Sequence, residues 1–561
     1  MTAKSKSDRL RRLLSHGYFA PELPPCFLSE DLAKFRAFIL KGIAALPANG
    51  GKPASHRLTT EPSWFYFPRY GKENRRHGVP NPISYLLLAK TIADNYIDLR
   101  KQARKSGISA SPPVFDWTGT RALMRPSVDL RDDFRLDLSS RREEYASADI
   151  RAFFHSIYTH AIPWAIYGKR WAKANRGAQH YGNVIDLLCR NCQDGQTVGL
   201  PVGPDTSRLI AEVVASAIDE QLRLRIPISP RDASRYIDDY TISGPDSQSG
   251  EVLIAALRQA ASHFELELNS DKSAVIPTSA RQNLGWKQAI RACIPKGNVI
   301  EYHQMQRYFY EIGRICETHP ELNVEKYALT NARLALVRTT EWRRVQSSLI
   351  NAYRRNPSLI SFLVEILVLR QVEVHDVDVE AIKEFLKNRL PVLAQANRTG
   401  EIIWFLFLAI RLNLTLAVSC LEPLFHIENA MVALLVAVAA SRNLVSGAVN
   451  YASWNSSLNS DGLRGPMWLY AYETVGLGIN PGVPSLFLEQ DDFFGLLQKK
   501  TCRFLDVDAG FTSLSSTIES LRGENTRMRH ARKDFFEDFT LDIEELEDDE
   551  EFDLLDVDTG Y

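Results

Sequence analysis

Apolar positions along the chain change their spacing from segment to segment, and each spacing predicts a different kind of element. Residues 1–60 carry short helical patterns, broken by Pro21, Pro24 and Pro25 and by a loop at Ala48–Ser55 that holds Asn49-Gly50-Gly51. Residues 61–82 (EPSWFYFPRYGKENRRHGVPNP) interleave aromatic residues with Arg69, Lys72, Arg75 and Arg76. This reads as a strand pair folded over a core with solvated charges at its turn, or as aromatic faces for bases beside cations for phosphates. Residues 83–105 repeat apolar positions at helical spacing and then turn basic, ahead of the loop SGISASPP. Residues 145–295 mix strand-like and helix-like runs, with turns at Gly195, Pro201–Pro204 and Gly244-Pro245, as in a mixed unit of strands and helices. From about residue 300 the pattern is almost purely helical. Pro320, Pro357, Pro391 and Pro423 recur at intervals of 37, 34 and 32 residues. Because proline ends helices, that spacing predicts stacked helix pairs of the HEAT kind; an irregular helical domain fits the same pattern.

With 561 residues the chain exceeds one hydrophobic core. The expected fold class is α+β, divided into an N-terminal extension (1–60), a mixed strand–helix domain (61–295), an α-helical repeat domain (296–505), and a linker with an acidic tail (506–561). The most apolar stretches, Ile402–Ile410 and Met431–Ala440, fall short of the roughly 20 residues of a membrane span and predict buried helices. The N-terminal MTAKSKSDRLRR is followed by no apolar run, and seven scattered cysteines form no disulfide framework. Both point to a cytoplasmic protein with no membrane partner. The net charge of −1 hides a division. Asp534–Tyr561 holds 14 acidic and no basic residues, so the rest of the chain carries 67 basic against 54 acidic side chains, about +13. A basic body attracts phosphates, although a solvated surface with a solubilising, disordered tail gives the same sum.

Candidate chemistry begins at Arg235-Tyr236-Ile237-Asp238-Asp239-Tyr240-Thr241-Ile242, where β-forming residues flank adjacent aspartates. The pattern predicts a tight hairpin with the acids at its tip. An ordinary Asp-Asp surface turn looks the same. The distinction comes from Tyr145-Ala-Ser-Ala-Asp149-Ile-Arg-Ala-Phe-Phe154, an apolar strand that ends on one aspartate as a helix begins. If the two strands are neighbours, Asp149, Asp238 and Asp239 converge as oxygen ligands for two Mg²⁺ ions, with Mn²⁺ as a substitute, in phosphoryl transfer. Between them lies the loop Gly199–Pro204, with Asp205 or Thr206 as cap of a helix whose apolar face is Leu209, Ile210, Val213, Val214, Ala217 and Ile218. Lys272 follows a turn and reads as a proton donor or as a surface lysine. Cys189-Arg-Asn-Cys192 is a lone CxxC in a helical run, and no phosphate-binding glycine motif is present.

In order, these segments resemble motifs A, B, C and D of reverse transcriptases. The strings GVPNPISYLLLAKTIADNY, ADIRAFFHSIYTHAIPWAIYGK, QDGQTVGLPVGPDTSRLIAE and RYIDDYTI are similar to those of bacterial abortive-infection and defence-associated reverse transcriptases, over about residues 75–290. Within that group the chain resembles the second polymerase subunit of type 3 two-polymerase defence systems. The resemblance implies a fingers–palm fold and metal-binding acids Asp149, Asp238 and Asp239, with Ile150 lending its carbonyl. It implies Phe154 as the gate that excludes a ribose 2′-hydroxyl, Gly203 beneath template and nucleotide, Lys272 as the motif D lysine, and Arg121 or Arg125 on the triphosphate. It further implies an RNA-directed or template-independent DNA polymerase in anti-phage defence, using dNTPs and primed on protein, with Tyr18 and Tyr561 among the candidate hydroxyls. A DNA product, a non-coding RNA, a companion reverse transcriptase and other copies of the chain are the implied partners. A catalytically idle polymerase-fold scaffold that binds nucleic acid or proteins is the alternative.

Overall fold

The computed structural model describes residues 4–125, 129–244, 249–279, 285–479 and 485–523 of this mixed α+β chain. The acidic run from Asp534 and Tyr561 lie outside the described residues. Strands β1 (Ser63–Arg69) and β2 (Lys72–Val79) form an antiparallel hairpin closed at Tyr70-Gly71. Alternation decides its faces: Phe65 and Phe67 go inward, while Lys72, Glu73, Arg75 and Arg76 stay exposed. Asn81 caps the next helix, Pro82–Asp94, by accepting from the Ile83 amide, and Pro82 supplies the fixed φ favoured at a first helical position.

A second sheet is wholly antiparallel. It contains β3 (Glu144–Asp149), β4 (Ala233–Tyr236), β5 (Asp239–Ile242) and β6 (Ala274–Pro277), in spatial order β4-β5-β3-β6. The helix Asp205–Arg223 packs against Gly250–Ser262, which lies along β3. All six positions of its expected apolar face are buried. The expected cap is absent: the N-cap is Pro204, with no side-chain hydrogen bond, and the Asp205 carboxylate instead accepts from Leu123 N and Arg121.

Beyond residue 300 nearly all regular structure is helical, with one two-residue parallel bridge between Leu416–Ala417 and Val445–Ser446. Thr399–Arg411 packs on Ala430–Ser441, which packs on Trp468–Leu477. The first two bury almost every side chain, and no helix among the described residues is long and apolar enough to cross a membrane. The proline rule fails at one of its four positions. Pro391 sits inside Val379–Gln395, where buried Phe385, Leu386, Leu390 and Leu393 hold the helix despite the missing amide hydrogen bond.

The buried side chains run as one continuous cluster from Leu10 to Leu514, across the boundary read at 295/296. Trp404 Nε1 donates to Glu22 O at 2.7 Å, Asn429 Nδ2 to Trp64 O at 2.7 Å, and Leu28 N to Phe504 O at 3.0 Å. Gly400 lets Thr399–Arg411 lie directly on β1, since a Cβ there would stand 2.5 Å from Tyr66 O. Tyr18, a candidate priming hydroxyl, is fully buried and donates to Pro80 O, so in this fold it is not free to prime.

Candidate active site

β3 and β5 are neighbours, in the register that pairs Asp149 with Asp239. Directly opposed residues of antiparallel strands have Cα atoms roughly 4.5–5.5 Å apart, so two acids 90 positions apart in sequence share one edge of the sheet. Ile237 and Asp238 form the two-residue turn between β4 and β5. Ile237 has a φ of 60°, in the left-handed region that a β-branched residue rarely occupies. The turn is held from several sides. Ile237 N donates to Ser111 Oγ at 2.8 Å, its carbonyl accepts from Arg235 Nη1 at 2.9 Å, and Ile150 N donates to Asp238 O at 3.1 Å.

Behind the turn lies a buried ionic network absent from the sequence reading. Arg235 is 0% exposed, and its guanidinium meets Glu212 in a fork (2.7 and 3.0 Å) and Asp219 at 2.9 Å. Tyr240 donates to Asp219 Oδ1 at 2.7 Å. Glu212 and Asp219 stand seven residues apart on one helix, a spacing that places both on the same face. That face also carries Asp205, Arg208 and Ser216, beside the apolar stripe rather than on it, so nothing along the chain marks the two acids as buried.

The front of the turn is half-open. Lys272 Nζ lies 2.6 Å from Asp149 Oδ2, with the lysine side chain 41% exposed. Asp239 meets Arg131 at 2.8 Å and Arg135 at 3.5 Å. Both arginines come from Asp129–Ser139, a helix that buries only Leu138 and is tied at its start by Lys287 to Asp129 (2.6 Å) and Asp132 (3.2 Å). Among the described residues Asp238 has no ion pair of this kind. Burial first, and then the charge of Asp149, raise its pKa to about 6. Among the described residues no group of three or more acidic, histidine or cysteine side chains is gathered as a metal-binding cluster. The backbone brings Asp149, Asp238 and Asp239 to one edge of the sheet, where Lys272 is paired with Asp149 and Arg131 and Arg135 with Asp239. In kind the donors suit a hard divalent cation: carboxylates on two adjacent strands and on the turn beside them, one destabilised by burial and by its neighbour's charge.

The remaining candidates divide. Phe154 is half-buried just after Asp149, its carbonyl accepting from Leu200 N at 2.7 Å, so motif-like segments 149–154 and 199–203 touch. Gly203 has φ 133° and packs against the N-terminal segment, where a Cβ would come within 2.7 Å of Ala20 Cβ. Arg121 is occupied by Asp205 Oδ1 (2.6 Å), Phe19 O and Gly203 O, whereas Arg125 is exposed. Ile150 is fully buried. Cys189 and Cys192 are buried free thiols. No family model matches the chain, and no curated protein matches it.

Proposed function

We propose that this protein is a reverse-transcriptase-like DNA polymerase that adds dNTPs, in anti-phage defence, with Asp149, Asp238 and Asp239 as its metal-binding acids. In this reading β3–β6 are the palm, the β1–β2 hairpin belongs to the fingers, and the helices after residue 300 form a HEAT-like repeat. The observation that carries it is the cross-strand pairing of Asp149 with Asp239 beside a strained Ile237-Asp238 turn, backed by a buried network that fixes the turn. Strain and like-charge crowding persist where function demands them. Two Mg²⁺ ions held by these acids, with Ile150 contributing its carbonyl, would supply activation of the attacking hydroxyl and neutralisation of the triphosphate. Lys272 Nζ donates to Asp149 Oδ2 and is the proposed donor to the departing pyrophosphate. Phe154 would meet the sugar and exclude a 2′-hydroxyl, and Gly203 would lie beneath template and nucleotide. Protein priming, synthesis without a conventional template, a non-coding RNA and a companion reverse transcriptase belong to the same reading through the family resemblance.

A second reading, an idle polymerase-fold scaffold, draws on the two arginines that occupy Asp239. Labelled dNTPs and Mg²⁺ with purified full-length chain separate the two. The polymerase reading expects incorporation, and a loss of at least about a hundredfold in Asp238→Ala with Asp239→Ala. Incorporation undiminished in that variant contradicts it, as does none by the wild type with its RNA and protein partners supplied.

A further inference from the structure

Residues 150–185 hold five lysines and arginines and no acid. Four of the five fall in Lys169-Arg170-Trp171-Ala-Lys173-Ala-Asn-Arg176, on and just after the short helix Lys169–Ala174. Beside this helix runs a groove of about 760 Å³. Trp164 and Tyr167 from the helix Ala161–Tyr167, with Phe264, give it apolar surface, while Lys105, Arg170 and Trp171 stand along it. The sole acid on its wall is Glu220, 4.0 Å from Lys105. Trp171 is the only one of the nine tryptophans left exposed, at 39%. Its ring is fixed from two sides, 4.7 Å from that of Tyr167 and 4.7 Å from that of His180. Arg170 and Lys173 are exposed and make no hydrogen bond or ion pair with the described residues. Lys173 stands 5.6 Å over the Trp164 ring, and Arg176 Nε donates to Lys173 O at 3.1 Å.

A rigid, exposed ring flanked by unpaired cations suits a partner that is both aromatic and anionic, because it buries apolar surface and pairs charge in one step. The complement lies in the same sequence. Residues 534–561 hold 14 acids and no lysine or arginine, with Phe535, Phe536, Phe539 and Phe552 set among them. We propose that this acidic segment docks in the groove of its own chain, phenylalanines against Trp171 and carboxylates on Lys105, Arg170 and Lys173. Reach sets no limit. The 29 residues from Gly523 to Phe552 span roughly 95 Å when extended, against a radius of gyration near about 24 Å for a chain of this length. Tethering also favours this occupant over a free polyanion. A linked segment has an effective concentration on the order of millimolar, so contacts that are individually weak suffice. A single strand of nucleic acid shares the aromatic and cationic chemistry but lacks the tether. The inference follows from charge and ring placement and stands whether or not the chain polymerises nucleotides.

A carbodiimide joins an amine to a carboxylate only where the two already touch. Applied to dilute full-length chain and read by mass spectrometry of its peptides, it is expected to link Lys105, Lys169 or Lys173 to acids of residues 534–561. In an equal mixture of unlabelled and heavy-nitrogen-labelled chain, each linked pair should carry one isotope throughout. Arg170→Glu with Trp171→Ala leaves Lys173 as the reporter and is expected to cut its yield at least about fivefold, the worth of one ring contact and one reversed charge. Should that variant fail to fold, Arg170→Glu alone carries the test with a drop of about threefold, since the Arg170 side chain is exposed. The inference is overturned if the acidic segment links only to Lys72 or to Lys533, if the linked pairs mix isotopes, or if a folded variant keeps the wild-type yield. It is likewise overturned if no link to the groove forms while a labelled oligo-dT binds the wild type and loses affinity in the same variant, which would assign the groove to nucleic acid.

Discussion

Two clusters of charge sit on opposite sides of the β4–β5 turn, and they are built on opposite terms. Behind it, Arg235, Glu212, Asp219 and Tyr240 are buried and hydrogen-bonded to one another. In front, Asp149 and Asp239 are held by long side chains from other elements that keep one foot in solvent, and Asp238 has no such partner among the described residues. A closed network of this kind specifies a conformation and has no capacity left for a ligand. A carboxylate pair secured only by partly exposed lysine and arginine can exchange those cations for another at little cost, because such pairs contribute about 1 kcal/mol or less. The same residue types thus serve as a mould on one side and, on the proposed reading, as a site on the other.

That contrast is broken most forcefully at Arg235. Arg235→Ala leaves Glu212 and Asp219 buried without their cation and is expected to cost about 3–5 kcal/mol, read as a lowered midpoint in urea unfolding. A loss under about 1 kcal/mol would mean that the network is not the mould. Asp238→Asn works in the other direction. The folded carboxyl has its pKa raised from the ordinary 3.8 to about 6, so ionising it opposes folding. Its contribution is fully present below pH 4 and lost as pH rises through 6. Asparagine is therefore expected to stabilise the metal-free protein by roughly 2 kcal/mol at pH 8 and by nothing near pH 4, in paired thermal melts. The smallest effect on stability belongs to Arg131→Ala with Arg135→Ala, within about 1 kcal/mol. Freed from both guanidiniums, Asp239 should bind Mn²⁺ about tenfold more tightly by equilibrium titration. Weaker binding would make the arginines part of the site's architecture.

Much of the front cluster was legible along the chain, because its signals are local. Two adjacent acids between β-forming residues, a strand ending on Asp149, and Lys272 after a turn each declare themselves within a few positions. The cations that answer them do not. Arg131 and Arg135 lie more than 100 residues from Asp239 in sequence, and nothing in DLRDDFRLDLS identifies their partner. Glu212 and Asp219 stand beside Asp205, Arg208 and Ser216 on a polar helix face, and only the fold assigns them to Arg235. Arg121, one of two arginines expected on the triphosphate, is paired with Asp205. Pro391 was expected to end a helix, a local rule that core packing overrides. Gly203 needs its missing Cβ at least in part for the contact with Ala20, 183 positions away in sequence.

Anomalous scattering from Mn²⁺-soaked crystals of the full-length chain tests the central claim most directly. Two manganese peaks about 4 Å apart, ligated by Asp149, Asp238 and Asp239 with Lys272 and Arg131 displaced, are the expected result. Saturating Mn²⁺ that leaves Lys272 on Asp149 and Arg131 on Asp239, with no peak at the turn, would contradict the two-metal site and the polymerase built on it.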